Sequence, residues 1–212
     1  MTGESRIPCG SDGLPDSSAS VAAAGHTTSQ QAAKTALRKA LRAARGALDP
    51  AIKVQWDGHI GAQVLAWWRL RQVAGIGVYW PLAGEPDLRA AYGELARAGV
   101  QLALPVVMER GTALSFVEWT PGEPMLPDEM GVQVPADLRF VPRPPALLVP
   151  CLGFNEGNYR LGYGGGYYDR TLEAAPRPHT LGIAYSNQRA VFSHAAHDVP
   201  LDVIVTETTQ IT

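Results

Sequence analysis

The chain has 212 residues, 46% of them hydrophobic and 8% aromatic, and a formal net charge of −2. That is enough for one well-cored domain but would leave two small ones, and the near-neutral balance excludes a global attraction to nucleic acid or acidic membranes, so any basic function is local. No apolar run reaches the roughly 18 residues of a membrane span, the N-terminus has neither the basic nor the apolar region of a secretory signal, and the two cysteines, Cys9 and Cys151, lack metal-ligand spacing. A reducing, cytoplasmic setting is expected, with Cys151 a small core residue.

In chain order, residues 1–30 are Gly, Ser, Ala, Pro and Thr without apolar periodicity, which predicts a disordered tail. A helix is expected from Gln31, where Leu37, Leu41, Ala44 and Leu48 recur at helical spacing and Lys34, Arg38, Arg42 and Arg45 form a basic row. Thr28 and Gln31 have capping-box spacing. A second helix opens at Asp49 with Pro50 in its first position, and Ile52, Trp56, Ile60, Val64 and Trp67 form its buried stripe to about Arg71. Gly75–Trp80 reads as a strand. A turn through Glu85 follows, then a helix capped by Asp87 carrying Leu88, Ala91, Tyr92 and Leu95, stopped by Gly99, and a strand over Val100–Val107. Short links between strand, helix and strand favour a parallel βαβ unit.

Ala113–Trp119 reads as a strand paired antiparallel at an edge, and the Pro-rich stretch from Thr120 to Pro145 as a long ordered loop or an excursion over the surface. Further strands are expected over Ala146–Cys151, Thr180–Tyr185 and Val203–Thr206, a helix over about Gly166–Ala175, and a helical turn over Gln188–Phe192. The fold class is α/β: a single domain over residues 31–212, with a mostly parallel central sheet flanked by helices and a Gly-rich phosphate loop.

That loop is Arg160-Leu-Gly-Tyr-Gly-Gly-Gly-Tyr-Tyr-Asp169. Gly162, Gly164, Gly165 and Gly166 bring backbone N–H groups close to an anion, and a helix N-terminus follows. It is neither a Walker A loop nor the Rossmann fingerprint. Glycine content alone fits a phosphate cradle and a plain tight turn equally. Arg160, a bidentate donor, and Asp169, a hard ligand for Mg²⁺, favour the cradle. The basic row can be a solvated face, a nucleic-acid surface, or a source of cations for a nucleotide, with Lys34 and Arg38 one turn apart. Glu85, Asp169 and Asp202 are acidic candidates that could converge at the sheet. His194 and His197 do not form a metal set and read as surface or core residues.

The segment from Arg160 to Asp169 resembles the R-L-G-x-G-x-G-[YF]-Y-D signature of the 5-formyltetrahydrofolate cyclo-ligase family. Lys34-Thr-Ala-Leu-Arg38, Trp80-Pro-Leu-Ala-Gly-Glu85 and His197-Asp-Val-Pro-Leu-Asp202-Val-Ile-Val-Thr-Glu207 fall in the order that family shows, so the resemblance spans about Gln31 to Glu207. It implies ATP- and Mg²⁺-dependent cyclisation of 5-formyltetrahydrofolate to 5,10-methenyltetrahydrofolate, with ADP and phosphate released. It implies Arg160 and Lys34 as catalytic cations and an ATP site of Lys34, Arg38, Arg160, Leu161, Gly162, Tyr163, Gly164, Gly165, Gly166, Tyr167 and Tyr168. Trp80, Glu85, Tyr163 and Tyr167 are implied as folate contacts, with Met130 over the folate, and Asp169 and Asp202 as Mg²⁺ ligands. A small-molecule substrate, no nucleic acid, no membrane and a monomer are expected.

The chain departs from the family at Phe154-Asn155-Glu156-Gly157-Asn158-Tyr159-Arg160, where many members read F-D-x-x-G-x-R. Asn tolerates the left-handed conformation and can replace an Asp cap, so the turn is expected to survive. Two other readings are a folate- or nucleotide-binding paralogue without turnover and a nucleic-acid module using the Arg38 face.

Overall fold

In the computed structural model, which describes residues 18–195 and 197–211 and side chains from Gln30 onward, a seven-stranded sheet runs in the order β11-β10-β7-β1-β2-β3-β6. These strands are β1 (Gly75–Gly77), β2 (Gln101–Val106), β3 (Ser115–Glu118), β6 (Phe140–Val141), β7 (Ala146–Pro150), β10 (His179–Ile183) and β11 (Val203–Val205). From β11 through β2 all neighbours are parallel; β3 and β6 add antiparallel strands at one side. The expected mostly parallel α/β fold is the one observed, but β3 is not the edge strand expected, because β6 pairs on its outer side. Among the described residues, no helix is long and apolar enough to cross a membrane.

The central strands are buried on both faces, as parallel strands between helices must be. Along β7, Ala146 and Leu148 face one core cluster and Leu147 and Val149 the other, the period of two expected of a strand. The larger cluster takes Ile60, Val64 and Trp67 from α2 (Pro50–Arg71) and Tyr92 and Leu95 from α3 (Arg89–Arg97). The smaller takes Leu172 from α4 (Tyr167–Glu173), and Cys151 is buried within it.

Helix ends follow the local chemistry. Asp49 caps α2, its carboxylate accepting from Ala51 N at 2.8 Å and Ile52 N at 3.2 Å. Ile52, expected in the stripe, is 44% exposed because it lies in the first turn, ahead of the packed stretch. At the start of α3, Leu88 occupies the cap position without a side-chain bond, and Asp87 supplies the acceptor for Arg89 N at 3.1 Å. Gly99, at φ +88°, closes α3, with Gly99 N bonded to Ala96 O and Val100 N to Leu95 O.

Several boundaries differ from expectation. α1 runs Ser18–Gly46, so the helix begins before Gln31, through a stretch whose Ala19, Ala22, Ala23 and Ala24 are strong helix formers, and the Thr28 and Gln31 pair is not its start. The tail expected over residues 1–17 lies outside the described residues. The chain divides between Ala36 and Leu37 into two units, and the sheet belongs to the second. Strand β1 is only three residues long. The Pro-rich stretch holds a hairpin, β4 (Met125–Pro127) with β5 (Gln133–Pro135), before β6. A two-residue ribbon, β8 (Gly153–Phe154) with β9 (Arg160–Leu161), precedes the glycine loop, and the helical turn covers Ser186–Gln188.

Candidate active site

The site lies where the parallel strands end, the edge at which open α/β sheets bind ligands. After β1 the chain turns at Leu82–Glu85, closed by Glu85 N to Leu82 O at 2.9 Å, with Gly84 at φ +79°. The Glu85 side chain folds back, so that Oε2 accepts from Leu82 N at 2.9 Å, and Oε1 accepts a short bond from the Tyr163 hydroxyl. The residue is only 2% exposed. Burial and the adjacent Glu85 carboxylate push the Tyr163 hydroxyl well above its ordinary range, so it stays protonated and donates. Below the turn, Tyr79 Oη donates to Pro86 O at 2.7 Å and fixes the exit.

The glycine loop approaches from the other side. Its entry is set by the turn at Asn155–Asn158, where Asn155 Oδ1 accepts from Gly157 N and Tyr159 N, both at 3.0 Å, while Nδ2 donates to Phe192 O at 3.2 Å. Asn158 adopts φ +59° where the family pattern has glycine. The turn therefore survives the departure, as expected, and Asn155 adds a donor that Asp lacks. Strand β9 delivers Arg160, whose Nη2 meets Asp169 Oδ2 at 2.6 Å and whose guanidinium lies 5.3 Å from the Tyr168 ring centroid. Arg160 Nε is buried and makes no hydrogen bond.

Beyond it, Arg38 Nε donates to Gly162 O at 2.8 Å, and Gly164 and Gly166 take φ +102° and +64°, which a side chain would strain. Gly166 is the N-cap of α4, and Arg170, one turn later, donates to Gly165 O and lies 5.4 Å from the Tyr167 ring centroid. The loop is held from α1 by Arg38 and from α4 by Arg170.

Between the two parts is a cleft of about 160 Å³, walled by Tyr79 and Trp80 after β1, by Leu104, Pro105 and Val107 of and after β2, and by Arg160, Tyr163, Gly165, Gly166, Tyr167 and Tyr168. The β4–β5 hairpin closes one side with Asp128, Met130, Val132 and Gln133. Asp128 Oδ1 ties the hairpin tip by accepting from Met130 N and Val132 N, both at 2.8 Å. Trp80 is held edge-on to Trp119 at 6.0 Å. A wider groove of about 660 Å³ lies between α2 and α3, but none of the expected site residues lines it. The chemistry points to the smaller, apolar cleft.

The structure thus brings Trp80, Glu85, Arg160, Tyr163, Gly165, Gly166, Tyr167 and Tyr168 to one cleft, with Gly162 and Gly164 in the adjoining loop. Leu161 is different: its side chain is 2% exposed and packs with Leu41 and Leu152, leaving only its backbone for a ligand. Lys34 lies in the unit that ends at Ala36. Asp202 does not join Asp169. It sits at the entry of β11, where Oδ2 accepts from Thr180 N at 2.8 Å, its own N–H bonds Thr180 Oγ1 at 2.9 Å, and Arg177 stands 3.5 Å away. That is the N-terminal end of β11, where the backbone at Leu201 also bonds to Asn158 O at 3.0 Å.

Among the described residues, no group of three or more His, Cys, Asp or Glu side chains could hold a metal. Asp169, mostly buried and paired with Arg160, fits a magnesium ion only as one protein ligand among phosphate oxygens and waters, a common arrangement for this ion. One residue of the site stood in the basic row without a role: Arg45, 3% exposed, donates to Tyr163 Oη at 2.9 Å and to Ala83 O at 3.3 Å. Its signal was angular, since Arg38, Leu41, Arg45 and Leu48 fall at i, i+3, i+7 and i+10, one helical face.

A family model described as the 5-formyltetrahydrofolate cyclo-ligase family matches residues 30–207. The 5-formyltetrahydrofolate cyclo-ligase of Mycoplasma pneumoniae is 30% identical over 82% of this chain and 98% of its own length, and that of Escherichia coli K12 is 26% identical over 78% and 96%. Among solved structures, a 5,10-methenyltetrahydrofolate synthetase from M. pneumoniae superposes with a TM-score of 0.70 at 28% identity, covering 82% of this chain and 98% of that one. One from Aquifex aeolicus gives 0.72 at 27% identity, covering 83% and 90%.

Proposed function

The chain belongs to the 5-formyltetrahydrofolate cyclo-ligase family, and from that premise we propose that it converts 5-formyltetrahydrofolate to 5,10-methenyltetrahydrofolate, consuming ATP with magnesium and releasing ADP and phosphate. One observation carries the reading. The buried Glu85 carboxylate and the Arg160 glycine loop face one apolar cleft, so an acceptor for a pterin and a cradle for phosphates lie side by side.

The chemistry requires activation of a poor leaving group, the formyl oxygen. That oxygen attacks the γ-phosphorus of ATP, the bond to the bridging oxygen breaks, and ADP leaves. N10 then adds to the formyl carbon and gives up its proton to solvent, and the oxygen departs with its phosphate as the methenyl bridge forms. Such transfer depends on positioning and charge neutralisation more than on a protein nucleophile. Arg160, with its unbonded buried Nε, supplies positive charge at the loop. Arg38 holds the loop through Gly162 O, and Lys34 is its proposed companion on α1. Glu85 accepts from the amino and ring N–H groups of the pterin, whose flat face packs against Trp80 and Tyr167, with Met130 above. Asp169 would hold the magnesium ion, which when bound would offset the negative charge of the phosphates. Asp202 is left out of the metal site.

The test is the absorbance rise of methenyltetrahydrofolate when the protein meets 5-formyltetrahydrofolate and MgATP. A rise that vanishes without ATP is expected. Ligand binding with no rise in any condition would favour the non-catalytic paralogue instead.

A further inference from the structure

Arg45 is a guanidinium held almost completely away from water, yet only part of it is satisfied. Nη2 donates to Tyr163 Oη and Ala83 O, whereas Nη1 makes no hydrogen bond and stands 3.9 Å from Glu85 Oε1. The Leu82–Glu85 turn wraps its stem, since a side-chain carbon on Gly84 would lie 3.4 Å from Arg45 Nε and 3.6 Å from its Cγ. Tyr163 sits between the two charges, accepting from Arg45 and donating to Glu85.

Burying a charged pair is a poor route to stability, because the desolvation cost of both ions offsets their attraction and an apolar pair of similar volume would serve as well. The arrangement does achieve something an apolar pair would not. Each carboxylate oxygen of Glu85 has one protein donor, Leu82 N on Oε2 and Tyr163 Oη on Oε1, so each keeps acceptor capacity for a ligand. Resting on the reading that Glu85 meets the folate, we infer that Arg45 is a positioning residue. Its buried guanidinium, acting through the Tyr163 hydroxyl, holds the carboxylate aimed into the cleft, and so sets affinity for a cyclic ligand that presents adjacent N–H and NH₂ donors, without touching that ligand. Because Tyr163 belongs to the glycine loop, the same bond ties the folate contact to the phosphate cradle.

The test uses the full chain, with dissociation constants for 5-formyltetrahydrofolate and for ATP each measured alone by calorimetry. Arg45→Met is expected to weaken 5-formyltetrahydrofolate about tenfold or more and ATP less than about twofold, with Arg45→Lys recovering part of the loss. In the Glu85→Gln background the carboxylate that needs the cation is gone, so Arg45→Met with Glu85→Gln should bind no more weakly than Glu85→Gln alone. That double variant, neutral at both positions, carries the test if Arg45→Met alone does not fold. A further loss in the double variant, or equal losses for both ligands, would make Arg45 a purely structural strut and overturn the inference. Selective weakening by Glu85→Gln with none by Arg45→Met would overturn it while leaving the folate reading in place. Failure of the native protein or insensitivity of Glu85→Gln toward 5-formyltetrahydrofolate would overturn the folate reading, and the inference with it.

Discussion

Cys151 shows how far burial alone can set a residue's chemistry. It is 1% exposed at the end of β7, and burial pushes its thiol from the ordinary 9.0 up to about 12, despite a small opposing pull from Arg160. An unfolded chain gives up this proton near 9, whereas the folded one keeps it, so between about 9 and 12 the unfolded state binds fewer protons. The associated stability is present below that window and lost as pH rises through it. Denaturant titrations between pH 9 and 10 should show a steeper decline for the native protein than for Cys151→Ala. In a Cys9→Ser background, a thiol reagent near neutral pH should find nothing to modify until the protein is unfolded. At this scale residue type alone makes a role legible in the sequence, as for Cys151, Asp49 and Gly99. Arg45 is not legible by its charge, because its role follows from the angular face that it and Arg38 share with Leu41. A long side chain can lie along such a face and carry its charge into a site.

Among the elements, the ribbon of β8 and β9 decides where Arg160 points, and its turn depends on Asn155. Asn155→Ala removes two acceptor bonds and one donor bond, which should lower unfolding free energy by about 1–3 kcal/mol. Asn155→Asp keeps the acceptors and should cost less, about 1 kcal/mol; chemical denaturation would rank the two, and equal costs would show that the bond to Phe192 O carries the turn. Strands of two or three residues contain too few side chains to display alternation, which is why this ribbon and the β4–β5 hairpin could not be read as strands. Longer elements were legible because their periodicity repeats: α2 was placed from its cap to Arg71, and β7 within one residue.

For the whole molecule, the direction of the strands separates the two aspartates that the sequence grouped. Asp169 follows the loop at the C-terminal ends, and Asp202 precedes β11 at the other end; knowing that a residue adjoins a strand is not enough without knowing which end. Asp169→Asn should raise the magnesium concentration needed for half-maximal cyclisation at least about tenfold. Asp202→Asn should leave that concentration unchanged and lower the unfolding temperature instead, since it weakens the tie between β10 and β11; a magnesium titration of both variants distinguishes the two outcomes. The sheet's other flank has a different consequence. It ends at β6, two residues long, followed at once by Pro142, Pro144 and Pro145. Proline offers no N–H to a neighbouring strand, and a two-residue rung gives little for one to grip. The segment whose prolines suggested a loop is therefore also a guard against self-templating: it leaves the exposed Phe140 on a border too short and too poor in donors to recruit a second sheet.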